Sequence, residues 1–313
     1  MSLAIGVDLG GTKIAAGVVD EAGVIIAEER RPTPTEDSAS VVAAMAEAIA
    51  VLRQEHEVTA IGIGAPGFVN ASRDVLLFTP NLPMADVELS NQLSAVTGLP
   101  VVVENDANSA AWAEYRFGGG AGVSDMVLLT IGTGLGGGIV SDGRLLRGFF
   151  GVAAEVGHIE IVHGGHRCGC GLDGCWEQYA SGSALTRIAR RLARKRRDEA
   201  TVLLALGDGT PEGVKGKHIT KAARQGDPVA LAAFDEVGIM LGRGMAILAA
   251  VLDPAAFVIG GGVSDAGELL MSPTRRSFED HLTARSHRQL AQVALATLGN
   301  DAGIVGAADL ARR

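Results

Sequence analysis

Ala4-Ile-Gly-Val-Asp-Leu-Gly-Gly-Thr-Lys-Ile-Ala-Ala-Gly-Val-Val-Asp-Glu-Ala-Gly23 reads as an apolar strand, a glycine turn, a second apolar strand and a second turn. Met126-Val-Leu-Leu-Thr-Ile-Gly-Thr-Gly-Leu-Gly-Gly-Gly-Ile-Val-Ser-Asp-Gly143 repeats the plan. Both continue into a third short strand, over 24–28 and over 144–146. A pattern met twice in one chain predicts two related halves, facing each other across a cleft.

Between and after these units, helical and strand patterns alternate. Residues 38–54 carry Val41, Val42, Met45, Ile49 and Leu52 at helical spacing, and 60–64 read as a buried strand. A helix is expected over 87–96, stopped by Gly98-Leu-Pro100, then a strand at Val101-Val-Val and a helix over 107–117. Later elements are a long helix over 228–252, a strand at 256–259, a helix near 267–285, a strand at 292–298 and a last helix over 304–313. This order predicts an α/β protein with strands fed by helical crossovers. A first domain is expected to end near Asn108.

Composition narrows the function. The chain has 313 residues, 47% hydrophobic and 20% charged, which suits a soluble globular protein of about two domains. A net charge of −9 argues against a nucleic-acid surface, which needs clustered cations. The one cationic run, Arg187 to Arg197, has apolar residues at helical spacing and is expected to be a solvated helix face. The N-terminus reaches Asp8 without a basic segment, so no signal peptide is expected. The most apolar helix is interrupted by Arg243 and is too short to span a bilayer. No membrane partner and a cytoplasmic location follow as expectations.

The glycine loops have two readings. Gly132-Thr-Gly134-Leu-Gly136-Gly137 and Gly62-Ile-Gly64-Ala-Pro-Gly67 formally satisfy the dinucleotide fingerprint, but that fingerprint must open a helix. Here a strand follows the first and a proline interrupts the second. A Walker A motif is absent. The alternative is a phosphate cradle built from hairpin turns, with Asp8, Gly10, Gly11, Thr12 and Lys13 in one turn and Gly132, Thr133 and Gly134 in the other. Asp8 would stand near a Mg²⁺ ion, through water. Gly261 and Gly262, after a buried strand, would let an adenosine approach the backbone.

The chain's three cysteines fall within eight residues, preceded by a histidine: His158-x9-Cys168-x-Cys170-x4-Cys175. Three thiolates and an imidazole complete a tetrahedral zinc set with no position left for water, so a structural zinc is expected. A redox pair is the competing reading. Glu155 and Glu177 flank the loop. Asp106, after three valines and before a helix, is presented at the carboxyl edge of a sheet, where α/β sites lie. An Asn-Asp pair at that position is equally suited to capping the helix.

With these motifs assembled, the chain resembles the bacterial ROK-family sugar kinases, most closely the ATP-dependent glucokinases of actinobacterial type. The resemblance rests on Asp8-Leu-Gly-Gly-Thr-Lys13, Glu104-Asn-Asp-Ala-Asn108, Ile131-Gly-Thr-Gly-Leu-Gly-Gly-Gly138, Glu155-Val-Gly-His158, Cys168-Gly-Cys-Gly-x-x-Gly-Cys175 with Glu177, and Gly260-Gly-Gly262, in family order. It implies a two-lobed actin-like, hexokinase-type (ribonuclease H-like) fold with the sugar and nucleotide between the lobes. The smaller lobe would hold 1–108 plus about 302–313, and the larger 109–301 with the zinc loop 158–175. It implies phosphorylation of glucose at O6 by ATP, with Asp106 as general base, and sugar contacts from Asn81, Asn105, Glu155, His158 and Glu177. It also implies His158 as both zinc ligand and sugar contact, and a homodimer or homotetramer.

The rivals are a kinase for N-acetylglucosamine, N-acetylmannosamine, mannose or fructose, a polyphosphate-using glucokinase, and a sugar-sensing ROK regulator. Regulators of this family carry an added helix-turn-helix domain at the N-terminus. The first strand here begins by residue 3, so none is expected.

Overall fold

A computed structural model describes residues 2–313. Its strands are β1 (Ala4–Leu9), β2 (Lys13–Val19), β3 (Ile25–Pro32), β4 (Ala60–Ala65), β5 (Phe68–Val69), β6 (Leu76–Phe78), β7 (Ala85–Val87), β8 (Val101–Asn105), β9 (Met126–Ile131), β10 (Leu135–Ser141), β11 (Arg144–Leu145), β12 (Ala256–Gly260) and β13 (Gln292–Leu295). The helices are α1 (Ser38–Leu52), α2 (Leu89–Thr97), α3 (Asp106–Phe117), α4 (Gly182–Lys195), α5 (Thr201–Leu206), α6 (Gly216–Arg224), α7 (Pro228–Leu252), α8 (Glu268–His281) and α9 (Ala302–Ala311).

Two five-stranded sheets carry the same plan. The first runs β3-β2-β1-β4-β8 and the second β11-β10-β9-β12-β13. Numbered within its own half, each is 3-2-1-4-5, so the duplicated hairpin of the sequence sits inside a duplicated sheet. In the first, β1 to β3 are antiparallel, whereas β4 and β8 run parallel to β1. Parallel neighbours need crossovers, and α1 and α2 provide them. A small third sheet, β5-β6-β7, was not expected. It takes Val87, which the sequence assigned to the following helix, and α2 begins at Leu89.

Alternation of side chains about the first sheet makes two different faces. Ile5, Val7, Ile61, Ile63, Val101 and Val103 pack with Val41, Met45, Ile49 and Leu52 of α1 in one core. The opposite face carries Ala4, Gly6 and Gly62, and there α9 lies almost on the backbone. A Cβ at Gly6 would overlap the carbonyl of Ile304, and one at Gly62 that of Ala307. Ile304, Val305 and Ala308 fill the second core with Ala4, Ala15, Val19 and Ala113.

Two compact units result. One contains the chain up to Leu128, Gly137–Ala154 and Ala296–Arg313, and the other Leu129–Gly136 and Glu155–Leu295. This division differs from one at residue 108, because α3 packs on α9 and so stays with the first sheet. Among the described residues, no helix is long and apolar enough to cross a membrane.

Candidate active site

In the first unit, the register of the sheet brings acids to one end of the parallel strands. Asp8 lies opposite Gly64, and Gly64 opposite Glu104. Asp106 opens α3 immediately after β8 ends. Burial is the main force raising the Asp8 carboxyl from 3.8 to about 6, and the neighbouring Asp106 adds to it against the pull of Lys13. Asp106 is also raised, chiefly by burial, while its hydrogen bond from the Ala107 N–H (2.8 Å) acts the other way. Two neighbouring carboxylates that desolvation makes more basic suit proton abstraction or cation binding.

Asn105 is the helix cap that the sequence left as one alternative. Its Oδ1 accepts from the Asn108 N–H at 3.0 Å, and its Nδ2 donates to the Gly67 carbonyl at 3.0 Å. Behind it stands Glu104, 1% exposed. Oε1 of Glu104 accepts from the Asn105 N–H (3.0 Å) and Asn108 Nδ2 (3.1 Å). Its Oε2 meets Nε of Arg147 at 2.8 Å and of Arg73 at 3.4 Å. Arg147 reaches on to the carbonyls of Asn70 and Ala71, both at 2.9 Å. This network holds the Asn105-Asp106 corner in place. Local sequence names no partner for Glu104. An acid directly after three valines was the signal available.

The Gly10–Lys13 turn closes the first hairpin, with the Gly10 N–H donating to the Lys13 carbonyl at 2.9 Å. Thr33, also unassigned from sequence, ties the turn's carbonyls: its hydroxyl donates to Gly10 O (2.7 Å) and its N–H to Thr12 O (3.1 Å). Gly11, Thr12 and Lys13 are exposed. Asn81 is exposed as well, its Cβ 3.8 Å from the position a Gly11 Cβ would take. On the other side, Gly303 of α9 packs against Asp8, whose Cγ would stand 3.0 Å from a Cβ there.

In the second unit, the Gly132–Gly134 turn is closed by a 3.0 Å bond from the Gly132 N–H to the Gly134 carbonyl. The Gly132 and Thr133 carbonyls accept from the Gly182 and Ser183 N–H groups, at 2.9 and 3.3 Å, where α4 begins. Gly134 is small for a reason the phosphate reading did not contain: a Cβ would overlap Oε2 of Glu177. That same oxygen accepts from the Leu135 N–H at 3.1 Å. Gly261 has φ +83, and a Cβ there would stand 2.6 Å from the Ile131 nitrogen, whereas Gly262 faces open space.

His158, Cys168, Cys170 and Cys175 converge, their ligand atoms all within 4.8 Å of one another. Cys170 Sγ to Cys175 Sγ is 3.6 Å, as is Cys168 Sγ to His158 Nδ1. A tetrahedral zinc with Zn–S near 2.3 Å has edges of about 3.7 Å, so the set fits that ion. The thiols alone are poorly matched to their surroundings: burial, then hydrogen bonding to Cys170 and Cys168, pushes Cys175 up to about 12. Nδ1 points into the cluster, leaving Nε2 outside it. His158 ends the short turn Val156–His158, which is seated tightly because a Cβ on Gly157 would overlap the Leu135 carbonyl. Glu155 is exposed at the start of that turn. Glu177 lies beyond the loop, with Oε1 3.8 Å from Cys168 Sγ.

The model of the ROK family matches residues 4–313. The chain is 54% identical over 312 residues to a glucokinase of Streptomyces coelicolor, covering 100% of this chain and 98% of that one. It is similar to a crystal structure of a ROK family glucokinase from Streptomyces griseus in complex with glucose and AMPPNP, with 54% identity, a TM-score of 0.89 and 99% of each chain covered. A ROK hexokinase from Thermus thermophilus matches with 36% identity and a TM-score of 0.82, over 99% of this chain and 98% of that one. The fold is therefore the α/β, actin-like fold of these sugar kinases. The chain belongs to the ROK family.

Proposed function

We propose that this protein transfers the terminal phosphoryl group of ATP to O6 of glucose. The observation that carries the reading is the half-buried, proton-seeking Asp106 at the mouth of β8, joined to the similarity to a glucokinase crystallised with glucose and AMPPNP. Asp106 accepts the proton of the 6-hydroxyl, and its raised pKa makes it a stronger base than an exposed aspartate. Asn81, Asn105, Glu155, His158 and Glu177 are the residues we assign to the other hydroxyls. Phosphoryl transfer asks for alignment and charge stabilisation more than covalent work, so these positioning contacts supply much of the catalysis.

The donor's phosphates lie against backbone N–H groups of the Gly10–Lys13 and Gly132–Gly134 turns, with Thr12, Lys13 and Thr133 adding side-chain donors, and its adenosine approaches Gly261 and Gly262. Asp8, raised by burial and by the charge of Asp106 against the pull of Lys13, supports a cation site beside it. Mg²⁺ there supplies charge neutralisation of the phosphates when bound. Zinc held by His158, Cys168, Cys170 and Cys175 would have no open position and would be structural. It would fix the His158 ring, leaving Nε2 for a sugar hydroxyl, and stiffen the segment leading to Glu177. The reduced thiols this requires agree with a cytoplasmic location.

A coupled ADP-release assay of zinc-replete protein tests the reading across glucose, mannose, fructose, N-acetylglucosamine and N-acetylmannosamine. Glucose should give the highest kcat/KM, and phosphorus NMR should show the 6-phosphate. Release of no ADP with any hexose would sink the kinase reading in favour of sugar sensing.

A further inference from the structure

The basic stretch from Arg187 to Arg197 does not form a plainly solvated face. It lies largely on α4, whose apolar side (Ala184, Leu185, Ile188, Ala189, Leu192, Ala193) is buried. Arg190 and Arg194, on the other side, border a cavity of about 620 Å³ that takes in Gly132 and Thr133, so they belong to the donor side of the site already described. Arg187 borders that cavity too, but its hydrogen bonds run elsewhere. Its guanidinium donates through Nη2 to the Gln178 carbonyl and through Nη1 to Gln178 Oε1, nine residues back along the chain.

Trp176–Gln178 is a single 3₁₀ turn between the last cysteine and α4. So short a turn satisfies few of its own backbone groups, and its last carbonyls depend on donors from elsewhere. The Trp176 N–H donates to the Ile159 carbonyl at 2.8 Å and the Tyr179 N–H to the Trp176 carbonyl at 2.9 Å, which ties the start of the turn. Arg187 ties its end. Arg187 is half-buried, and burial lowers its pKa, with Tyr179 acting the other way and Arg191 adding repulsion. Neither of those neighbours is a carboxylate, so the guanidinium charge is directed at a backbone carbonyl. A charge-assisted bond of that kind is stronger than a neutral one. Glu177 is the residue held between Cys175 and this clamp. Its Oε2 accepts from the Leu135 N–H at 3.1 Å, and Leu135 directly follows the Gly132–Gly134 turn. The Gly132 carbonyl accepts from the Gly182 N–H at 2.9 Å, where α4 begins. These contacts close a ring from the glycine turn through Glu177, Gln178, Arg187 and α4 back to the turn. Two charged side chains complete it, the Glu177 carboxylate and the Arg187 guanidinium.

We propose that Arg187 is a positioning residue for the acceptor sugar: by holding the Gln178 carbonyl it fixes Glu177 in the orientation in which its carboxylate meets a sugar hydroxyl. Arg187 acts through Glu177 and not by contact with the sugar. The inference rests on the assignment of Glu177 to a glucose hydroxyl. A small displacement of such a contact weakens sugar binding and alignment, while the metal set and the glycine turn keep their own bonds.

The test uses the full-length, zinc-replete protein. Arg187→Met keeps the apolar stem and removes the donors. It should raise the KM for glucose about tenfold and the KM for ATP less than about threefold, with zinc retained. Arg187→Lys, which can still donate to the carbonyl, should recover part of the loss, as a packing role would not. Glu177→Gln alone should raise the KM for glucose, which tests the assignment of Glu177. Adding Arg187→Met to it should raise that constant little further, because the two residues act as one. Full additivity overturns the inference, as does an Arg187→Met variant with unchanged KM for glucose or with ATP alone weakened. The position of Glu177 is also read without any sugar, by NMR exchange of the Leu135 amide that it accepts from. That exchange should quicken about tenfold in Arg187→Met, while the Val258 amide inside β12 keeps its rate. Unchanged exchange at Leu135 overturns the positioning. Quickened exchange beside a Glu177→Gln variant with normal glucose KM would instead leave the positioning standing and remove the sugar assignment, so the two readings fail separately.

Discussion

Asp106 and Asp8 are neighbours with different expected roles, and single substitutions separate them. Asp106→Asn keeps the shape and the helix start but cannot take a proton. It should lower kcat by about 10² to 10⁴ while leaving the KM for glucose near its original value. Steady-state kinetics decide it, and near wild-type kcat would reduce Asp106 to a structural role. Asp8→Asn should do something less usual. In the folded, ligand-free protein the Asp8 carboxyl titrates near 6, against an unfolded value of 3.8. Between these values the folded state binds more protons than the unfolded one, so this group's stabilising contribution is full below 3.8 and is lost as pH rises through 6. Asp8→Asn should therefore lose activity yet unfold at higher urea at pH 8 than the parent, by about 1 to 3 kcal/mol, with the difference vanishing toward pH 4. Equal stability at pH 8 would mean that Asp8 is not held at a disadvantage. At this scale the sequence was informative about identity but silent about partners. It presented Asp106 and the four metal ligands by spacing. Glu104, Arg73 and Arg147 are scattered over 75 positions and meet only because β8 and the two loops around it converge.

At the scale of elements, the zinc loop and the α9 layer make opposite demands. None of the loop's apolar side chains, Ile159, Ile161, Val162 and Leu172, is fully buried, so the metal must hold it. Cys170→Ser should lose about one zinc per chain and most activity together, without recovery on adding Mg²⁺, since a hard cation does not replace a thiolate-bound metal. Elemental analysis beside the activity assay checks this, and a fully active, zinc-free variant would refute the structural role. The α9 layer depends instead on missing side chains. Gly62→Ala puts a methyl group into the Ala307 carbonyl, backbone against backbone, where neither can swing aside. It should destabilise by about 1 to 3 kcal/mol or more, as overpacked cores do, without changing zinc content. Chemical denaturation measures it. The glycine of β4 could be seen in the sequence as an oddity in a strand, but the element that explains it lies more than 240 residues away.

For the whole molecule, we expect a homodimer or homotetramer. The long helix α7 leaves Ile247 and Val251 exposed one turn apart, a short apolar patch near its C-terminal end. Sedimentation equilibrium should give two or four chains per particle, and Ile247→Glu should shift it toward one; a monomeric parent protein would overturn the expectation. Taken by itself, the sequence determined the class of fold, the duplication, the turns between hairpin strands and the metal set. Each of these is written in short-range periodicity or in spacing within a few tens of residues, which local geometry converts directly into structure. Tertiary structure alone decided the rest. It placed α3 and α9 with the first sheet, because small residues there let backbones touch. It assigned Gly134 to make room for Glu177, and it turned an apparently solvated arginine face toward a cavity. Those outcomes depend on which surfaces meet after the chain has folded back on itself, and no local pattern carries that information.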